Sequence, residues 1–224
     1  MRILSKPSTA KCNQNIYSAY LMSEPINSSC LRLSEIMPDI SHDSVNRFLC
    51  REKFTGYDLY LENSKELNLV GGSASVDDSV LDKPYSNPEH AVLIDYFWSG
   101  KHHKVVKGIN LITLFYVDVT GKCLPINFRI YDKRQNKTKN DHFREMLAEV
   151  LLWGLQPAIV TGDAWYSGLK NLKHIRKNEL DFLFGIEIDR QVSIEKGSYI
   201  RVDQIDDFPS NGRVVYLKEF GNVR

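Results

Sequence analysis

Ser75-Val76-Asp77-Asp78-Ser79-Val80-Leu81-Asp82-Lys83 follows the pair Gly71-Gly72 and reads as a short strand holding two adjacent carboxylates. Neighbours on a strand point to opposite faces. Asp77 therefore shares a face with Ser75 and Ser79, and Asp78 shares one with Val76 and Val80. A buried carboxylate is costly unless it is paired or holds a metal. The polar face suits a reacting centre, which selects Asp77. The competing role is local, because aspartates at turns and strand ends bond nearby backbone.

Downstream, Ile109–Val117 reads as a buried strand rich in β-branched and aromatic residues, and Cys123–Tyr131 returns antiparallel to it across the turn Val119-Thr-Gly-Lys122. Lys139 to Gly154 carries an apolar stripe at helical spacing (Phe143, Met146, Leu147, Val150, Leu151, Trp153) and is stopped by Gly154. A strand over Pro157–Asp163, a helix over Tyr166–Asn178 and a strand over Asp181–Ile188 complete the order. Three strands followed by alternating helices and strands predict an α/β domain, a mixed sheet flanked by helices. After Asp189 the pattern changes to short polar β segments, including Tyr199–Val202 and Arg213–Lys218.

Upstream, the chain reads as a small helical region. A short helix is expected near Tyr17–Met22 and another within Tyr57–Lys65. Leu31, Ile36 and Met37 are expected on one helical face, and Ser41 followed by Ser44, Val45, Phe48 and Leu49 reads as a capped helix with apolar positions at helical spacing. Two such helices resemble a helix-turn-helix, whose second member would offer Ser44, Asn46, Arg47 and Arg51 to DNA; simple packing of two amphipathic helices is the plainer alternative. The expected division is 1–70 helical, 71–189 the α/β domain and 190–224 the short polar β segments.

Composition narrows the classes. No run approaches the roughly 20 apolar residues of a membrane span, and the first residues lack the apolar block of a signal peptide. Cys12, Cys30, Cys50 and Cys123 are widely spaced, which favours reduced thiols and a cytoplasmic protein over disulfides or zinc. The net charge is only +1, yet Lys101 to Glu145 holds ten basic residues against four acidic ones. That local excess can attract phosphates; a solvated lysine-rich surface is its plainer reading.

A second carboxylate, Asp163 in Thr161-Gly-Asp-Ala-Trp-Tyr166, sits where a buried strand gives way to a helix, at the strand end where α/β sites gather. An N-cap role is the alternative. Were Asp77 and Asp163 to meet, they would repel unless a cation lay between them, and hard oxygen ligands favour Mg²⁺ or Mn²⁺.

These features together resemble the bacterial insertion-sequence transposases of the DDE class, in particular the insertion-sequence-four superfamily, from about Ile40 to the last residue. The residues that carry the resemblance are Val76-Asp-Asp-Ser79 with Asp82-Lys83, Trp98-Ser-Gly-Lys-His-His-Lys-Val-Val-Lys-Gly108, Lys137-Thr-Lys-Asn-Asp-His-Phe-Arg144 and Val160-Thr-Gly-Asp-Ala-Trp-Tyr166. The resemblance implies a ribonuclease-H-like core and selects Asp77, with Ser79 two residues on, and Asp163 as catalytic and metal-binding acids. It implies a two-metal site, Mg²⁺ or Mn²⁺, for DNA cleavage and strand transfer, with Asp77 bridging both ions and Asp163 holding one. It also implies transposon ends and target DNA as partners, a homodimer in a synaptic complex, and a place at the bacterial nucleoid.

Lys101, Lys104, Lys107, Lys133, Arg134 and Lys137, with Arg47 and Arg51 upstream, are the expected DNA contacts. Trp98 and Trp165 are expected in the core, with stacking on an extruded base as the alternative. His102-His103 is not expected to bind metal, since adjacent strand residues diverge. The third acid of the family, a glutamate on a later helix, has no match among Glu179, Glu187, Glu195 and Glu219. The expectation is a truncated, catalytically impaired transposase, and the alternative a non-catalytic DNA-binding fragment or regulator.

Overall fold

The structure is a computed structural model that describes residues 11–26, 28–89, 91–195, 197–206 and 209–224. The chain divides into two compact units, the first ending at Phe54 and the second running from Thr55 to Arg224.

The first unit holds three helices, α1 (Gln14–Ser23), α2 (Cys30–Ile36) and α3 (His42–Arg51). Each begins at a polar side chain that accepts a hydrogen bond from a first-turn amide: Asn13, Ser29 and Ser41. Its core is Cys12, Tyr20, Leu33, Ile40, Val45 and Phe48. The expected inward face of α2 is corrected here. Leu31, Ile36 and Met37 are exposed, and Leu33 is the residue that buries. Ser44 is also corrected as a DNA contact. It is buried, and its Oγ accepts from the Lys11 and Cys12 amides at 2.8 and 3.2 Å.

The second unit opens with α4 (Gly56–Asn63), capped reciprocally by Thr55 and Asp58. Its main sheet contains β1 (Ser73–Asp82), β2 (Asp95–Ser99), β3 (Lys104–Val117), β4 (Cys123–Tyr131), β5 (Ile159–Gly162) and β6 (Asp181–Phe184). The path runs β2-β3-β1-β5-β6, and β4 also pairs with β3. The β1–β3 and β3–β4 pairs are antiparallel, whereas β5 lies parallel to both β1 and β6. Two helices make the crossovers, α5 (Lys139–Leu152) between β4 and β5, and α6 (Leu169–Lys177) between β5 and β6. A three-strand antiparallel meander extended by two parallel crossovers gives the mixed sheet flanked by helices expected from the sequence, consistent with the ribonuclease-H-like core that the resemblance implies.

The alternation along β1 and β3 decides where the core sits. Ala74, Val76, Ile112, Leu114 and Tyr116 point to one face and pack with Phe143, Met146, Leu147 and Val150 of α5 and with Ile175 of α6. Helix α4 joins the same side, where the Tyr60 hydroxyl donates to the Trp153 carbonyl at 3.1 Å. On the opposite face Tyr96, Trp98, Val105, Phe115 and Leu183 are exposed. Among the described residues no helix of this unit packs against that side.

Several elements differ from expectation. The carboxylate strand is ten residues long rather than short. The helix foreseen from Tyr166 splits into a 3-10 turn (Ala164–Tyr166) and α6, which begins after Gly168. Strand β6 stops at Phe184, so Glu187 lies in a loop. Beyond it, β7 (Gln191–Glu195), β8 (Ser198–Arg201), β9 (Val215–Leu217) and β10 (Gly221–Val223) form a second sheet in the order β10-β9-β7-β8. This sheet encloses Leu172 of α6 with Val192, Leu217 and Phe220. Arg176 holds it to α6, its guanidinium 3.4 Å from the Phe220 ring centroid and its Nη1 donating to the Phe220 carbonyl.

Candidate functional site

Register brings the two sequence-selected acids together. Across the parallel β1–β5 pair, Ser75 faces Thr161 and Val76 faces Gly162. The hydroxyls of Ser75 and Thr161 are 2.6 Å apart, so these two side chains share a face. The next position on that face is Asp77 on β1 and Asp163 just beyond β5. Gly162 permits this closeness, since a Cβ there would stand 2.7 Å from the Phe184 ring and 2.9 Å from a Val76 methyl.

Asp77 and Asp163 both line an open cleft of about 610 Å³, together with Ser79, Trp98, Lys101, Lys139 and Trp165. The Asp77 carboxylate accepts one hydrogen bond, from the Asp78 amide at 2.8 Å. Desolvation by the cleft wall pushes its pKa above the ordinary carboxylate value, and the charges of Asp78 and Asp163 push in the same direction. Asp163 occupies the position before the 3-10 turn, yet its side chain makes no capping hydrogen bond. The N-cap alternative for this residue is thereby set aside, and its carboxylate is left available to the cleft.

Asp78 has a different fate. Its side chain accepts from Asn110 Nδ2 at 2.8 Å, Lys139 Nζ at 2.7 Å and the Tyr166 hydroxyl at 3.1 Å. Tyr166 is fully buried, packs edge-on against Phe143, and has its pKa pushed strongly upward, first by burial and then by Asp78. Asn171 of α6 donates to the Tyr166 carbonyl at 2.9 Å, and Arg190 donates to the Ser167 carbonyl at 2.7 Å. The loop that carries Asp163 is therefore pinned from both sides. Strand alternation foretold that Asp77 and Asp78 would part company, but the partners of Asp78 lie 32, 61 and 88 residues away and left no local signal.

Both tryptophans depart from the expected core positions. Trp98 is 63% and Trp165 60% exposed, and both stand in the wall of the cleft. Of the expected DNA contacts, only Lys101 lines the cleft. Lys104 is exposed and Lys107 half-buried along β3. Lys133 donates to the Tyr96 carbonyl and lies 3.5 Å from Asp95, Arg134 pairs with Asp132 at 2.7 Å, and Lys137 pairs with Glu145 at 2.6 Å. In the first unit, Arg47 pairs with Asp43 at 3.1 Å, and one guanidinium nitrogen of Arg51 is buried with no hydrogen bond among the described residues. His102 sits in the turn before β3 and meets Asp82 at 2.6 Å.

Two carboxylates on one face form a donor set that suits a hard divalent cation. Among the described residues, no group of three or more histidine, cysteine, aspartate or glutamate side chains is placed to hold an ion. Neither Glu179, Glu187, Glu195 nor Glu219 lines the cleft. A separate, mainly apolar cavity beneath the second sheet is walled by Phe182, Phe184, Val192 and Leu217, and among the described residues no aspartate or glutamate lines it.

The transposase DDE domain family matches residues 75–215. No curated protein matches the chain. Among solved structures, a piggyBac transposase synaptic complex with hairpin DNA is similar at 14% identity and a TM-score of 0.41, covering 82% of this chain and 44% of that one. The Drosophila P element transposase strand transfer complex follows at 11% and 0.38, covering 86% and 48%. The Mos1 strand transfer complex is similar at 11% and 0.31, covering 82% and 60%. The chain thus spans about half the length of the proteins in these complexes.

Proposed function

The chain belongs to the transposase DDE domain family, and on that premise we propose that its cleft cleaves and joins DNA strands by divalent-metal-dependent phosphoryl transfer. The observation that carries this reading is the placement of Asp77 and Asp163 side by side on one sheet face, with the Asp163 carboxylate free of capping and the Asp77 pKa raised. Asp77 and Asp163 would hold Mg²⁺ or Mn²⁺. When bound, the ion polarises the scissile phosphate and activates a water or a terminal hydroxyl.

The other side chains of the cleft have positioning work. Lys101 meets a backbone phosphate, a contact that orients DNA without reading its sequence. Trp98 and Trp165 offer exposed ring faces for stacking on an unpaired base. Lys104 and Lys107 extend the basic strip along β3. The substrates are transposon ends and target DNA, brought together by a homodimer.

A pair of acids binds a divalent ion weakly compared with a set of three. The described residues supply the pair only, so this chain by itself should turn over slowly. A third acid would approach from the face of the sheet that carries Asp77, where Phe115 and Leu183 are exposed and no helix packs among the described residues. Nicking of supercoiled plasmid DNA in Mn²⁺ tests the proposal. Slow nicking that disappears in Asp77→Asn and in Asp163→Asn is the expected result. Nicking that persists in both variants overturns the assignment, and fast nicking by the unmodified chain overturns the impairment.

The second reading, a DNA-binding fragment without catalysis, draws on the first unit, where Arg47 is exposed on α3. DNA binding that survives Asp77→Ala and Asp163→Ala, with no nicking under any metal, would favour it.

A further inference from the structure

We infer that Lys139 is a further substrate-binding residue of the cleft, seated by Asp78 so that its ammonium meets a phosphodiester oxygen of the DNA beside Asp77 and Asp163. The inference rests on the reading that the cleft takes DNA.

Local structure gives no reason for a lysine at this position. Lys139 is the first residue of α5, where the helix dipole disfavours a positive charge. The reciprocal cap of that turn is made by Thr138 and Asp141, and a lysine ammonium has no acceptor to offer its amides. The side chain leaves its own helix and crosses to β1, where Nζ lies 2.7 Å from Asp78 Oδ2. There it stands in the cleft wall with Asp77, Asp163, Trp98 and Trp165, 6.0 Å from the Trp165 ring centroid.

An ammonium group has three N–H donors. Among the described residues Asp78 is the only hydrogen-bond acceptor Lys139 meets, so two donors remain for something that enters the cleft. Asp78 is occupied from the other side by Asn110 and Tyr166, which holds its carboxylate still. Lysine thus has a rigid seat and an open front. Fold stability alone does not call for such a pair, because apolar residues of similar volume often serve a half-buried site as well. The ligand that fits is an anion reached by a point charge, and a phosphodiester oxygen is the anion that the neighbouring acids are placed to act on. Asp78 acts through Lys139 and is a positioning residue.

The test uses the whole 224-residue chain and a fluorescein-labelled duplex of arbitrary sequence, with anisotropy followed from low to high NaCl in Ca²⁺. Loss of one phosphate contact lowers the slope of log K against log salt by about 0.9 and weakens binding about five- to tenfold near 0.1 M salt. Lys139→Gln is expected to show both changes, and Lys139→Arg to recover affinity to within about twofold, since the charge is kept. Asp78→Asn should lose most of the same contact, and the double variant Asp78→Asn/Lys139→Gln should bind no more weakly than Lys139→Gln alone. The double variant leaves no unpaired charge and decides the matter where Lys139→Gln fails to fold. A folded Lys139→Gln or double variant with the affinity and slope of the unmodified chain overturns the inference while the functional reading stands. An unmodified chain that binds no duplex overturns both.

Discussion

The Ser75 and Thr161 hydroxyls lie 2.6 Å apart across the parallel strands β1 and β5. That contact marks the register, and two residues further on the same register delivers Asp77 and Asp163 to one cleft. The site is therefore a consequence of strand pairing, and changes that disturb the pairing should disturb the chemistry before they unfold the protein.

Gly162→Ala is the sharpest such change. The added methyl meets Phe184 and Val76 below 3.0 Å, and overpacking of this kind costs about 1–3 kcal/mol. Thermal unfolding should show that loss. Mn²⁺ affinity should fall as well, because Asp163 is the next residue and must shift with the strand end.

Removing one acid should relax the other. The Asp163 charge helps raise the Asp77 pKa, so Asp163→Asn is expected to move the Asp77 titration to lower pH in a carboxyl-carbon NMR experiment. An unmoved Asp77 would mean that the two side chains are not neighbours. In the unmodified chain, protons compete with the cation for Asp77. Metal affinity should therefore fall as the pH drops through its raised pKa.

Asp118 provides the opposite sign. Its carboxylate accepts from the Thr120 hydroxyl and from the amides of Asn68, Thr120 and Lys122, which hold its pKa down to about 2. A depressed carboxylate stabilises the fold above its unfolded value, and that stability is lost as pH falls toward 2. Asp118→Ala should lower the melting temperature at neutral pH and have a much smaller effect near pH 2, as followed by circular dichroism.

Trp98→Ala and Trp165→Ala should leave stability within about 0.5 kcal/mol, as expected of exposed side chains. Each should weaken binding to a duplex with an unpaired base by about 1–3 kcal/mol. Equal loss on fully paired and unpaired duplexes would argue against stacking.

Much of this arrangement was legible in the residues themselves. Alternation along Val76-Asp77-Asp78-Ser79 separated the two aspartates correctly, and the apolar stripe from Phe143 to Val150 located the helix that buries Val76 and Leu114. Most departures come from packing between distant segments. Ser44 looked like a surface residue of a capped helix, but the backbone at Lys11 and Cys12 takes its hydroxyl. Large aromatics usually bury, whereas Trp98 stands on the side of the sheet that carries no helix among the described residues and Trp165 stands in the turn beyond β5, both in the cleft wall. The periodicity that predicts a helix over Tyr166–Asn178 hides a local break at Ser167-Gly168, after which α6 begins. The partnership of Lys139 with Asp78 joins a helix start to a strand 61 residues earlier, beyond the reach of any local pattern.

Manganese binding followed by electron paramagnetic resonance tests the central claim most directly. The unmodified chain should bind Mn²⁺, Asp77→Asn and Asp163→Asn should each weaken that binding by about tenfold or more, equivalent to about 1.4 kcal/mol, and Asp78→Asn should weaken it far less. Equal losses in all three variants, or undiminished binding in Asp77→Asn or Asp163→Asn, would contradict the account.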